Sequence, residues 1–243
     1  MTARLAAHID AELRGLADPA RAEQEKRYLK SELEHYGAGV PAVRKVARAA
    51  SRDLDHDEVV GVVEALWSRA VHECRLAAVE LLDVHAPLLR PTDLALVERL
   101  LRGSRTWALV DGLAANVAGG LVERFPRQTG ATLDRWAADD DFWLRRSALL
   151  ALLRPLRRGE GDFERFSRYA DAMLEEREFF IRKAIGWVLR DTSRKRPDLV
   201  AAWLEPRAAR SSGIIVREAV KHLTEDQRVR ILSARGSATP RRR

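Results

Sequence analysis

The stretch FFIRKAIGWVLRDTSRKR (Phe179–Arg196) repeats every three to four residues, with Ile181, Ile185, Val188 and Leu189 on one side of a helical wheel. Lys183, Trp187, Arg190 and Arg194 fall on the opposite stripe, so this tryptophan sits in a column of cations rather than in the apolar seam. Within it, Arg182-Lys183-Ala184 has the form R-x-A. The same form recurs at Arg75-Leu76-Ala77, Arg146-Ser147-Ala148 and Arg217-Glu218-Ala219, each time at the head of an apolar run. The intervals are 71, 36 and 35 residues, and the first reads as two repeats with a missing unit near Asp111.

A period of about 35 residues in helix pairs marks an α-solenoid, because one such pair is too small to bury its apolar face alone and must stack on its neighbours. The expected fold is all-α, a curved solenoid of HEAT-like repeats with a basic concave face. Breaks at Ala17-Asp18-Pro19, Gly39-Val40-Pro41, Ala86-Pro87, Arg90-Pro91 and Arg196-Pro197 divide the chain into many short helices. Sparse glycine (14) and proline (9) agree. With 46% hydrophobic residues, the 243-residue chain can bury a core. Residues 1–234 read as one repeat domain and 235–243 as a basic, disordered tail.

Equivalent positions of successive repeats share one surface, so the ladder reads Arg75, Asp111, Arg146, Arg182, Arg217, with a single acidic rung. The arginines read equally well as bridges between stacked repeats. In TWALVDGLAANVAGG (Thr106–Gly120), turning 100° per residue puts Ser104, Asp111, Ala114 and Ala118 with Trp107, while Leu109, Val110, Leu113 and Val117 form the apolar seam. A surface cation–π contact would explain such tryptophans without a ligand. Two tryptophans off the core, one carboxylate and a basic ladder together describe a cleft suited to a cationic moiety within a polyanion. The net charge of +7 fits a polyanion partner without requiring one. These features do not separate a binder from an enzyme.

Other chemistries lack their residues. Cys74 is alone, so there is no internal disulfide and no multi-cysteine zinc site, and the expected compartment is the reducing cytoplasm. His72 and Glu73 begin H-E-x-x-H, but Leu76 stands at the second histidine. No G-x-G-x-x-G, P-loop or G-x-S-x-G occurs, which argues against a nucleotide cofactor and a serine hydrolase. There is no eighteen-residue apolar run, and Asp10, Glu12 and Arg14 interrupt any signal-peptide core.

Five blocks in order, RYLKSELEHYGAGVPAVRKVAR (27–48), TWALVDGLA (106–114), FWLRRSALLALLR (142–154), FFIRKAIGWVLR (179–190) and REAVKH (217–222), resemble the AlkD-type DNA alkylation-repair glycosylases, which are HEAT-like repeat proteins. The resemblance implies hydrolysis of the N-glycosidic bond of purines alkylated at N3 or N7 in duplex DNA, without flipping the base. It implies a catalytic set of Trp107, Asp111, Arg146 and Trp187, with Asp111 stabilising the oxocarbenium ion and positioning water. Trp107 and Trp187 would pack on the deoxyribose, and Arg146 would hold either a phosphate or the carboxylate. Tyr28, Arg154, Arg182, Lys183, Arg190, Arg194, Arg217 and Lys221 would contact DNA. The implied enzyme is monofunctional and works without metal or cofactor. Expected alongside are a monomer, double-stranded DNA carrying alkylated purines as partner, no membrane, and a cytoplasmic place on the nucleoid. The alternative is a non-catalytic helical-repeat module that binds DNA or protein. The departures from the family pattern are Ala108 and Leu109 beside the tryptophan, which bear on substrate range, and the tail GSATPRRR (236–243).

Overall fold

A computed structural model describes residues 1–236. These residues are helical almost throughout and form no β-strand; a single bridge pairs Glu34 with Val71. The all-α expectation holds. The chain divides into two compact units, Met1–Leu121 and the remainder from Val122.

The first unit contains α1 (Thr2–Gly15), α2 (Pro19–Leu29), α3 (Val40–Ala50), α4 (His56–Trp67), α5 (His72–Val84), α6 (Leu94–Ser104) and α7 (Trp107–Asp111). The punctuation read in the sequence sets these boundaries. The Asp18 side chain caps the Arg21 N–H with Pro19 in the first turn, where a missing N–H costs nothing. Asp55 and Glu58 close a capping box at the head of α4. The core forms where α4 and α3 pack on α5 and α1 packs on α4. Ile9, Leu13, Val43, Val59, Val62, Leu66, Leu81 and Leu82 have no exposed surface. Each contributes roughly 1.5–3 kcal/mol relative to exposure.

Helix α5 is buried on nearly every face, including the carboxylate of Glu73. That charge is satisfied by backbone: its oxygens accept from the Tyr36 N–H at 3.0 Å and the Gly37 N–H at 2.6 Å, clamping the loop before α3. Gly37 has φ +85°, and a Cβ there would lie 2.2 Å from the Asp18 carbonyl oxygen, so only glycine fits the crossing.

After α7 the chain continues as a π-helical segment, Gly112–Ala118, and then as α8 (Gly119–Arg124). A π turn holds an extra residue, so a 100° wheel fails beyond Asp111. Leu109, Val110, Leu113 and Val117 are buried as the wheel predicts, but Ala114 and Ala118, expected beside Trp107, are fully buried too.

The second unit contains α9 (Pro126–Ala137), α10 (Phe142–Leu150), α11 (Leu153–Arg157), α12 (Phe163–Ala172), α13 (Phe179–Ser193), α14 (Pro197–Leu204), α15 (Gly213–Ala219) and α16 (Glu225–Gly236). Helix α13 is its centre, packed against α10, α11, α14 and α15. Ile181, Ile185, Val188 and Leu189 are fully buried, as the amphipathic reading requires. Arg235 and Gly236, placed in the tail by the sequence, end α16; the rest of that tail lies outside the described residues. No helix among the described residues is long and apolar enough to cross a membrane.

Candidate functional site

The cap residues set the register of the repeated helices. Val71, Thr106, Asp141, Glu178 and Ser212 precede α5, α7, α10, α13 and α15, and the side chains of Asp141, Glu178 and Ser212 accept from N–H groups of the turns they open. The fifth residue after each cap is Leu76, Asp111, Arg146, Lys183 and Arg217. The fourth is Arg75, Val110, Arg145, Arg182 and Val216. The ladder read from R-x-A therefore mixes two positions. Arg75, Arg145 and Arg182 form a set of their own, each donating to the backbone carbonyl six residues earlier: Arg69 at 3.2 Å, Asp139 at 2.6 Å and Glu176 at 2.7 Å. These arginines hold the turn before their helix.

In the first unit, Trp107 and Asp111 lie one turn apart on α7, both half-buried, with Asp111 the last residue before the π segment. Tyr28, 72% exposed at the end of α2, meets Trp107 edge to face with ring centroids 5.8 Å apart. Both rings line a cleft of about 360 Å³, together with Leu76, Val79, Gly112 and Asn116. A Cβ at Gly112 would come within 2.8 Å of Val79 Cγ1, so glycine lets this segment lie close on α5.

Two more groups at the head of α5, His72 and Cys74, are buried. His72 stacks on His35 with centroids 4.6 Å apart, and burial, reinforced by the neighbouring His35 and Arg75, holds its pKa down at about 4. Glu25, His35 and Glu73 bring ligand atoms within 4.8 Å of one another, yet both Glu73 oxygens already serve the loop clamp. Cys74 packs in the core, where burial and then its hydrogen bond to Asp10 push the thiol pKa up, away from the reactive thiolate.

In the second unit, Arg146 is buried, 4% exposed, and its Nη1 donates to the Phe180 carbonyl at 2.5 Å. Its guanidinium also lies 5.7 Å from the Phe180 ring centre. Trp187 is half-buried, with its indole N–H donated to Asp191 at 3.1 Å. Lys183, Arg190 and Lys221, three expected DNA contacts, converge on Glu218 at 3.1, 2.7 and 2.8 Å. Hydrogen bonding from Lys221 foremost, then from Lys183 and Arg190, outweighs burial and draws the Glu218 carboxyl down to about 2. Arg194 and Arg217 are exposed, Arg154 is half-buried on α11, and Arg182 holds its turn. Sequence reasoning missed Glu218 and Asp191. Asp191 stands four residues after Trp187, the spacing that drew attention to Trp107 and Asp111, and would have been found by applying that rule twice.

A family model described as DNA alkylation repair enzyme matches residues 9–223. No curated protein matches the chain in sequence. Among solved structures, the chain is similar to one described as "Predicted DNA alkylation repair enzyme from Enterococcus faecalis", at 21% identity over 86% of this chain and 97% of that one, with TM-score 0.78. It is also similar to AlkD2 from Streptococcus mutans, at 21% identity over 83% and 99% of the two chains, with TM-score 0.61. A third, smu.31 from Streptococcus mutans UA159, has 19% identity over 76% and 93%, with TM-score 0.60. At these identities the structural likeness shows the fold, and the family match over most of the chain shows the kinship: the protein belongs to the DNA alkylation repair enzyme family.

Proposed function

We propose that the protein is a monofunctional DNA glycosylase that releases positively charged N3- or N7-alkylated purines from duplex DNA, leaving the damaged base in the helix. The observation that carries this reading is the pairing of an indole and a carboxylate one turn apart on α7, with the exposed Tyr28 ring against the indole. Family membership and the cations gathered on Glu218 support it.

Alkylation at N3 or N7 leaves the purine cationic. When the C1′–N bond breaks, its electron pair neutralises that charge, so the base departs without a general acid. The sugar becomes an oxocarbenium-like cation, which the Asp111 carboxylate stabilises electrostatically. Water then forms the C1′–O bond, and Asp111 orients it and accepts its proton. Trp107 and Trp187 offer ring faces to the deoxyribose, and their π electrons favour the developing charge. The burial of Arg146 supports an orienting role over that of an exposed phosphate ligand. Lys183, Arg190, Arg194, Arg217 and Lys221 supply the salt-sensitive attraction to phosphates. The site of action is the nucleoid in the cytoplasm.

The test is release of free base from duplexes carrying single lesions. Excision of 7-methylguanine or 3-methyladenine with negligible excision of hypoxanthine and uracil is expected. Efficient release of the neutral bases would overturn selection by a weakened bond.

A further inference from the structure

Tryptophan has one polar atom, the indole N–H, which can only donate. On a half-buried ring, water would ordinarily satisfy it. Here the partner is a carboxylate: Trp187 Nε1 donates to Asp191 Oδ2 at 3.1 Å, one turn along α13. Asp191 is 5% exposed and fixed from other sides. The same Oδ2 accepts from Arg157, Nε at 2.8 Å and Nη2 at 2.6 Å, while Oδ1 accepts from Arg190 Nε at 3.1 Å. Arg190 continues through its Nη1 to Glu218.

Two consequences follow. A carboxylate that cannot rotate sets the ring plane of the indole it holds, at the geometric precision that preorganised sites need. A charged acceptor also polarises the N–H bond and pushes electron density into the ring, which strengthens the attraction of its face for a cation. Only the transition state of the proposed reaction carries positive charge on the sugar, so the second effect is expressed there and not in substrate binding.

We propose that Asp191 is a positioning residue that orients Trp187 and enriches its π face for the oxocarbenium transition state. This inference rests on the glycosylase reading above. Asp191 never meets the DNA in this account; Arg157 and Arg190 balance its charge and hold it in place.

The experiment combines kinetics with an observation of the indole itself. In protein labelled with ¹⁵N at the tryptophan indoles, with the Trp187 signal identified through Trp187→Phe, the wild-type Trp187 Nε1–H should exchange slowly with solvent. Asp191→Asn should shift that signal and speed its exchange. Single-turnover release of 7-methylguanine should slow about tenfold at saturation with KM within about twofold, the mark of a transition-state effect. In the Trp187→Phe background the same substitution should cost nothing further. An equal loss in both backgrounds, or an unmoved indole signal, overturns the proposal. Should Asp191→Asn fail to fold, Asp191→Glu keeps the charge, displaces it by one methylene and carries the same comparison. If the wild type releases no base, the glycosylase reading falls by itself; fast exchange of the wild-type Trp187 N–H would independently overturn the orienting contact.

Discussion

Tyr28 and Trp107 meet with their ring planes nearly perpendicular, 89° apart, and their centroids 5.8 Å apart, at the end of α2. A ring 72% exposed contributes little to folding, so its position against the proposed catalytic indole points to DNA. Tyr28→Ala should change unfolding free energy by less than about 1 kcal/mol. It should lower base release several-fold. Chemical denaturation and single-turnover release measure the two sides, and a variant with unchanged release would remove Tyr28 from the site.

Gly37 has the reverse profile, since it touches only protein. Its left-handed φ and the 2.2 Å approach of a Cβ to the Asp18 carbonyl leave no room for alanine. Gly37→Ala should destabilise the protein by at least about 2 kcal/mol. The midpoint of urea unfolding measures it, and a wild-type midpoint would mean that the loop can leave its clamp on Glu73 at little cost.

Acid sensitivity should begin well above the carboxylate range. The folded protein holds His72 neutral down to about pH 4, whereas the unfolded chain binds a proton near the ordinary 6.5. Stability is therefore unaffected by this group above pH 6.5 and falls as the pH drops from 6.5 towards 4, by up to about 3 kcal/mol. His72→Gln should flatten that slope in denaturation curves recorded between pH 7.5 and 4.5. An unchanged slope would show that another group governs it.

At Glu218 one carboxylate faces Lys183, Arg190 and Lys221. Removing its charge leaves the three cations without that counter-charge. Glu218→Gln should tighten binding to undamaged duplex at low salt and steepen the dependence of log K on log salt by up to about one unit. Weaker binding would mean that the geometry imposed by Glu218 outweighs the charge it cancels.

The fold was legible because its signals are local. Aspartate and proline at positions such as 18–19 and the 3.6-residue rhythm around Ile181, Ile185, Val188 and Leu189 act within one helix, and both expectations hold. The ladder slipped by one residue at Arg75 and Arg182 because R-x-A is a pattern of residue types, whereas register is set by caps such as Asp141 and Glu178. Counting from those caps aligns Asp111 with Arg146, Lys183 and Arg217. The π segment after Asp111 left no mark in the wheel, which takes 100° per residue throughout, and the close approach of Gly112 to Val79 is a tertiary fact. Glu73 and Glu218 were unreadable because their partners lie mostly 28 to 37 residues away, as does the Arg157 partner of Asp191, whereas the Trp187–Asp191 contact, four residues apart on one helix, was legible.

Whether Asp111 stabilises a cationic sugar is decided by the rate of 7-methylguanine release from duplex DNA by Asp111→Asn against wild type. Both proteins must share the same thermal midpoint and DNA affinity. Asparagine keeps the size and loses the charge, so the single-turnover rate should fall about a hundredfold or more with binding retained. Release at the wild-type rate by Asp111→Asn would contradict it.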